Sequence, residues 1–174
     1  MLNKINSIKI LRVFFKTPEG KFHIRQLSRI TKISAPGLLK ILKKLISEGI
    51  LVSEKSKIAR YISASKSENF IHMKRVYNLY AIYESGLIEF IRKEYEEPEC
   101  VVLFGSYARG EDISKSDIDI AVITKLRKNS DTSQFSSLKR KIDVHEINPR
   151  NSEKEFLNTL SNGIVLYGYL KVVR

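Results

Sequence analysis

The stretch VLFGSYARGEDISKSDIDIAVI holds four residues whose types suit chemistry on a phosphate. Gly105 lets backbone approach a bulky anion, and Ser106 offers that anion a hydroxyl and an amide. Ten residues, Tyr107 to Ser116, separate them from Asp117 and Asp119. Residues two apart in an extended strand share a face, so the two carboxylates stand side by side while Ile118 and Ile120 turn into a core. Adjacent carboxylates repel unless a cation lies between them, and hard oxygen ligands of this kind suit Mg²⁺.

The surrounding segments must position these groups. CVVLF reads as a buried strand, GSYARG as a tight turn, and DISKSDIDIAVI as the approach to a second strand. KIDVHEI alternates, which puts Ile142 and Val144 on a core face and Asp143 and His145 on the opposite one. Between these strands, SDTSQFSSLKRK is polar and compatible with helix. FLNTLSNGIVLYG predicts a helix, a stop at Gly163 and an apolar strand at the edge of the same sheet. Arg109, on the phosphate turn, has two readings, a triphosphate contact or a structural ion pair. Glu111 and Asp112 read as solvated turn residues.

Gly-Ser, ten residues, then Asp-x-Asp, set between two strands, resembles the signature of the DNA polymerase β-like nucleotidyltransferase superfamily. The likeness is greatest to its minimal nucleotidyltransferase branch, which includes the antitoxin partners of HEPN-type toxins, and it covers roughly residues 95–174. The resemblance implies that Asp117 and Asp119 hold metal, and that Asp143 completes the metal set and draws the proton from an attacking hydroxyl. It also implies nucleotide binding by Gly105, Ser106 and Arg109, with His145 a weaker candidate for lining the pocket. The implied cofactor is Mg²⁺ or Mn²⁺, with ATP or another NTP as substrate. The implied reaction is transfer of a nucleoside monophosphate, most simply AMP, to a hydroxyl. In the minimal branch the acceptor is often a tyrosine of a separate protein, so a HEPN-type toxin-like acceptor is the expected partner.

The rest of the chain has a different character. Its 174 residues are 43% hydrophobic and 29% charged, the composition of a soluble globular protein rather than a disordered or fibrous one. A single cysteine, Cys100, rules out an internal disulfide framework and fits a reducing compartment. Lys4, Lys9 and Arg12 interrupt the N-terminal apolar residues, and no uncharged apolar run approaches the ~20 residues that span a bilayer. A cytoplasmic protein without membrane contact is expected.

Of the net charge of +12, residues 1–65 contribute 14 Lys and Arg against 3 Asp and Glu, a net +11. That segment reads as helix, helix, helix and β-hairpin. Ile5 to Lys16 ends at TPEG, and HIRQLSRITK gives a short helix. A longer helix follows in ISAPGLLKILKKLISEGI, with Ser34 as N-cap and Gly49 as stop. Leu38, Ile41, Leu42, Leu45 and Ile46 make its buried stripe, and Lys40, Lys43 and Lys44 its opposite face. The hairpin ILVSEKSKIARYISAS carries Lys55, Lys57 and Arg60 around its tip.

This pattern resembles a winged helix-turn-helix domain, which implies contact with double-stranded DNA through Ser34, Lys40, Lys43, Lys44, Lys55, Lys57 and Arg60. The lysines would neutralise phosphates, and Ser34, at the start of the recognition helix, is placed to reach base edges. An ordinary solvated face, or a module for protein contact, is the alternative.

Residues 66–95 read as a helical connector. Phe70, Met73, Val76, Tyr77, Tyr80, Tyr83, Leu87, Phe90 and Ile91 recur at helical spacing, with a break at ESG, and are expected in a core, with a homodimer surface as the other reading. His72 has no acidic or cysteine partner at ligand spacing. The expected fold class is therefore α/β in the broad α+β sense. It comprises a winged helix-turn-helix at 1–65, the connector at 66–95 and a polymerase β-like nucleotidyltransferase domain with a mixed sheet at 96–174. The competing function is a DNA-binding transcriptional regulator whose second domain senses nucleotide or docks a partner without turnover.

Overall fold

The computed structural model describes residues 2–55, 60–148 and 154–171. Two units emerge, residues 1–74 and 75–174, and the division falls inside helix α4 (Glu68–Glu84).

The first unit runs α1 (Leu2–Lys16), β1 (Lys21–His23), α2 (Ile24–Thr31), α3 (Ala35–Ser47), β2 (Leu51–Lys55) and β3 (Arg60–Ala64). Its strands pair antiparallel in the order β1-β3-β2. The sequence gives no period-2 signal for β1, because three residues are too few to show one, so the expected helix, helix, helix, hairpin order is corrected by one short strand. Between α2 and α3, Lys32 adopts a left-handed conformation (φ 56°) and Ser28 Oγ donates to the Ile33 carbonyl at 2.6 Å. Leu38, Ile41, Leu42 and Leu45 are buried as the 3.6-residue period predicts, and Ile46 is half-buried. Ser34 occupies the N-cap of α3 but makes no side-chain capping bond. Gly49 (φ 68°) follows the C-cap and donates to the Ile46 carbonyl, the stop expected of it.

The second unit contains the C-terminal part of α4, then α5 (Leu87–Glu94), β4 (Cys100–Phe104), α6 (Gly105–Arg109) and β5 (Ile118–Ile123). A 3-10 helix (Ser133–Leu138), β6 (Ile142–Ile147), α7 (Lys154–Ser161) and β7 (Ile164–Gly168) complete it. Among the described residues its sheet has the order β6-β5-β4-β7, with β5 and β6 parallel and the other pairs antiparallel. β4 is buried on both faces: Val101 and Leu103 join a cluster with Leu87, Ile91, Ile118 and Ile120, while Cys100, Val102 and Phe104 join another with Leu160. The parallel β5-β6 pair requires a crossover, and the 3-10 helix lies within it, shorter than the helix the polar stretch predicted. β7 lies at the sheet edge, as its apolar sequence and position predict.

The aromatic stripe of α4 is corrected. Met73, Val76, Tyr80 and Tyr83 are exposed, whereas Phe70, Lys74, Asn78 and Ile82 are buried. Those four fall at i, i+4, i+8 and i+12, so α4 buries a stripe that contains two polar residues; of the expected residues Phe70, Leu87 and Ile91 are buried, and counting apolar residues alone adds four exposed ones. The break at ESG is where α4 ends, and Gly86 is the N-cap of α5. Among the described residues no helix is long and apolar enough to cross a membrane.

Candidate active site and basic face

Three strand ends meet at one corner of the second unit's sheet. β4 ends at Phe104, which pairs with Asp119 near the start of β5, and Asp119 pairs in turn with Asp143 near the start of β6. Asp117 lies two residues before Asp119, immediately before β5. The pleat does what the alternation predicted: Ile118, Ile120 and Ile142 are buried on the far face with Val144 packed against them, while Asp119, Asp143 and His145 are partly exposed on the near one.

Gly105 follows Phe104 with φ 71°, a conformation L side chains avoid, and a Cβ built there would overlap the Asp119 carboxylate. The turn therefore comes against the acidic corner more closely than any side chain would permit. Ser106 lies in the first turn of α6 and is partly exposed. Arg109 forms an ion pair, its Nε 2.7 Å from Glu111 Oε2 with both side chains more than half exposed. Glu111 is exposed as expected.

Asp112 is not a solvated turn residue: it is 1% exposed. Its carboxylate accepts from Arg140 Nη2 at 3.1 Å and from Asn78 Nδ2 at 2.7 Å, and Asn78 also donates to the Tyr107 carbonyl at 2.9 Å. Arg140 Nη1 donates to the Ser114 carbonyl. This buried knot ties α4 and the segment entering β6 to the loop that joins the Gly-Ser turn to Asp117. It depends on a cation 28 residues away in sequence, a separation that local pattern does not reveal.

Lys141 is a second residue the sequence reading missed. Its Nζ lies 2.6 Å from Asp143 Oδ1. Its pKa is raised, first by the hydrogen bond and charge of Asp143 and then by the charges of Asp117 and Asp119. The position two before Asp143, hence on the same strand face, was the available signal. His145 Nε2 is 3.7 Å from Asp119 Oδ1 and is a buried nitrogen without a hydrogen-bond partner, its ring edge-on to Phe104 at 5.2 Å between centroids.

The donor chemistry of this corner suits a hard divalent cation: carboxylates at the starts of two neighbouring strands, and a lysine ammonium drawn into their field. As the side chains lie, no group of three or more His, Cys, Asp or Glu among the described residues converges on a metal-sized point.

In the first unit, Ser34, Lys40, Lys43 and Lys44 are exposed along α3, with Lys44 Nζ 3.7 Å from Glu48. Lys55 and Arg60 face one another across β2 and β3, both exposed, and Lys57 lies outside the described residues. Glu54, the acid of this hairpin, is neutralised by Lys21 at 2.7 Å.

Residues 87–170 match a family model described as Polymerase beta, Nucleotidyltransferase. The match holds every strand of the mixed sheet and all the residues of the acidic corner. No curated protein matches the chain.

Proposed function

We propose, from a polymerase β-like nucleotidyltransferase domain over residues 87–170, that this protein transfers a nucleoside monophosphate, most simply AMP from ATP, to a hydroxyl acceptor. The observation that carries the reading is the register that sets Asp119 beside Asp143, with Asp117 two residues back, where β4 runs into Gly105 and Ser106. In this reading Asp117, Asp119 and Asp143 hold Mg²⁺ or Mn²⁺. The bound cation would supply charge neutralisation for the triphosphate and a more acidic acceptor hydroxyl. Ser106 offers its hydroxyl and amide to phosphate oxygens, and Gly105 keeps the approach open. Asp143 takes the proton as the acceptor oxygen bonds to the α-phosphorus, and the bond to pyrophosphate breaks opposite it. Positioning and charge neutralisation, rather than a covalent enzyme intermediate, do the catalysis.

The acceptor in this proposal is a tyrosine of a separate partner protein, as in an antitoxin-like transferase. The first unit acts as a winged helix-turn-helix on double-stranded DNA, and regulates the protein's own promoter. Support comes from the order α1-β1-α2-α3-β2-β3, the β1-β3-β2 sheet, and the exposed lysines of α3. Incubating the protein with α-labelled ATP, Mg²⁺ and host lysate, beside an Asp117→Asn/Asp119→Asn control, tests the transferase. Label on a discrete protein band, absent in the control, supports it and gives the acceptor by mass.

A second reading is favoured by one observation: Lys141 is already paired with Asp143, and the carboxylates do not converge. A regulator that binds nucleotide without turnover fits that arrangement. Nucleotide binding with no label transferred from any of the four NTPs selects it.

A further inference from the structure

The lysines of α3 leave out a basic concavity of the first unit. A cleft of about 900 Å³ opens between α2 and the start of β3, lined among others by His23, Arg25, Gln26, Arg29, Ile30 and Arg60. Its walls come from elements that the sheet register fixes together: β1 pairs with β3, so His23 lies opposite Tyr61, with ring centroids 4.0 Å apart, and α2 begins at the next residue. That pairing brings Arg60, next to Tyr61, to a cleft whose other wall is the exposed face of α2. Arg25 and Arg29 are one helical turn apart on that face, an i, i+4 pair of like charges that disfavours the helix in isolation. No Asp or Glu is among the described residues lining the cleft. Three arginines thus converge on one groove without a lining carboxylate to offset them, and an arginine guanidinium matches a phosphate oxygen pair better than any other side chain does.

We infer that this cleft is a second DNA contact, seating the phosphodiester backbone of a duplex, with Arg25, Arg29 and Arg60 as the anion ligands and Gln26 as a neutral donor. The inference rests on the DNA-binding reading above and extends it to residues on α2. An open groove with cations along both walls suits a continuous polyanion better than a single small anion. Its contacts carry charge rather than base identity, so they set affinity and salt dependence and leave sequence preference to α3.

The test is binding of the full-length protein to a fluorescent mixed-sequence DNA duplex across a salt series, with wild type, Arg25→Gln/Arg29→Gln, Arg25→Lys/Arg29→Lys and Lys40→Gln/Lys43→Gln compared. The expected result is that the double Gln variant at α2 binds about 10-fold more weakly, with the slope of log K against log salt reduced by about 2, while the double Lys variant keeps the wild-type slope. All three α2 and α3 variants should melt as the wild type does, because the altered side chains are exposed. Wild-type affinity and slope in the double Gln variant, with weakened binding in the α3 variant, overturn the cleft and leave the DNA reading standing. Failure of the wild type to bind duplex DNA at low salt overturns both. Cleft-dependent binding to an RNA duplex but not to DNA overturns the assignment of the ligand.

Discussion

Within the second unit, Asp112 and the acids of the sheet corner differ in burial and in how they are held. Asp112 has a fully buried side chain, with a guanidinium 3.1 Å away and an amide 2.7 Å away. Asp117, Asp119 and Asp143 are partly exposed at one corner of the sheet, with one lysine ammonium on Asp143. A buried carboxylate must be neutralised and hydrogen-bonded to be tolerated, and Asp112 is. The partly exposed acids of the corner keep access to water and carry no such requirement. The contrast separates a buried, neutralised acid from the acids to which the proposed function assigns a ligand, and it can be broken experimentally.

The largest expected effect is at the buried knot. Arg140→Ala strands the Asp112 charge and should cost about 3–5 kcal/mol of stability, read from urea unfolding. An unfolding midpoint near wild type would show that Asp112 is not held by that pair. At the open corner the effect should move from stability to chemistry. Asp119→Asn is expected to lower nucleotide transfer by at least ~100-fold, about 2.7 kcal/mol, while changing stability by no more than about 0.5 kcal/mol. Loss of stability comparable to that of Arg140→Ala would erase the distinction between the two groups.

Gly105→Ala tests how closely the turn must come to the corner. Its left-handed φ should cost about 1–2 kcal/mol, and because the new methyl overlaps the Asp119 carboxylate, transfer should fall further than the stability loss explains. Unchanged transfer in a folded Gly105→Ala protein would show that the Asp119 position is not critical.

The smallest effect sharpens the comparison with a third kind of acid. Glu146 accepts from Tyr95 Oη at 2.9 Å and from the Lys128 and Asn129 amides at 2.7 and 3.2 Å. Burial pushes its pKa up, but the Lys128 amide, the Tyr95 hydroxyl and the Asn129 amide together outweigh it and leave it below the usual carboxylate range. A carboxylate with a depressed folded pKa stabilises the protein fully above its unfolded value, about 4.3, and loses that contribution as pH falls through the folded value. Unfolding midpoints measured from neutral to acid pH should therefore fall in wild type below that range, and fall less steeply in Glu146→Gln. Parallel curves would remove Glu146 from the stabilising acids.

Much of this site is legible in the order of residues. The alternation of KIDVHEI and DIDIAVI fixes which side chains share a face, since the strand period is two. CVVLF is buried throughout because helices cover both sides of β4. What escapes local pattern depends on residues far apart in sequence. The burial of Asp112 needs Arg140 and Asn78, and the exposed stripe of α4 follows from Lys74 and Asn78 lying on the buried side. Three-residue β1 forms because β3 is there to pair with it.

The amino-acid order by itself determined the composition of each part: an acidic pair and a glycine-serine turn at one end, a surplus of basic residues at the other. It also determined the faces of strands and helices, because those follow from backbone period. The tertiary structure alone decided which carboxylates are buried and which stay partly exposed, and that Lys141 meets Asp143. It alone brought Arg60 to Arg25 and Arg29 in one cleft. The physical reason is that burial and charge pairing are set by neighbours in space, which strand register and packing choose and sequence distance does not.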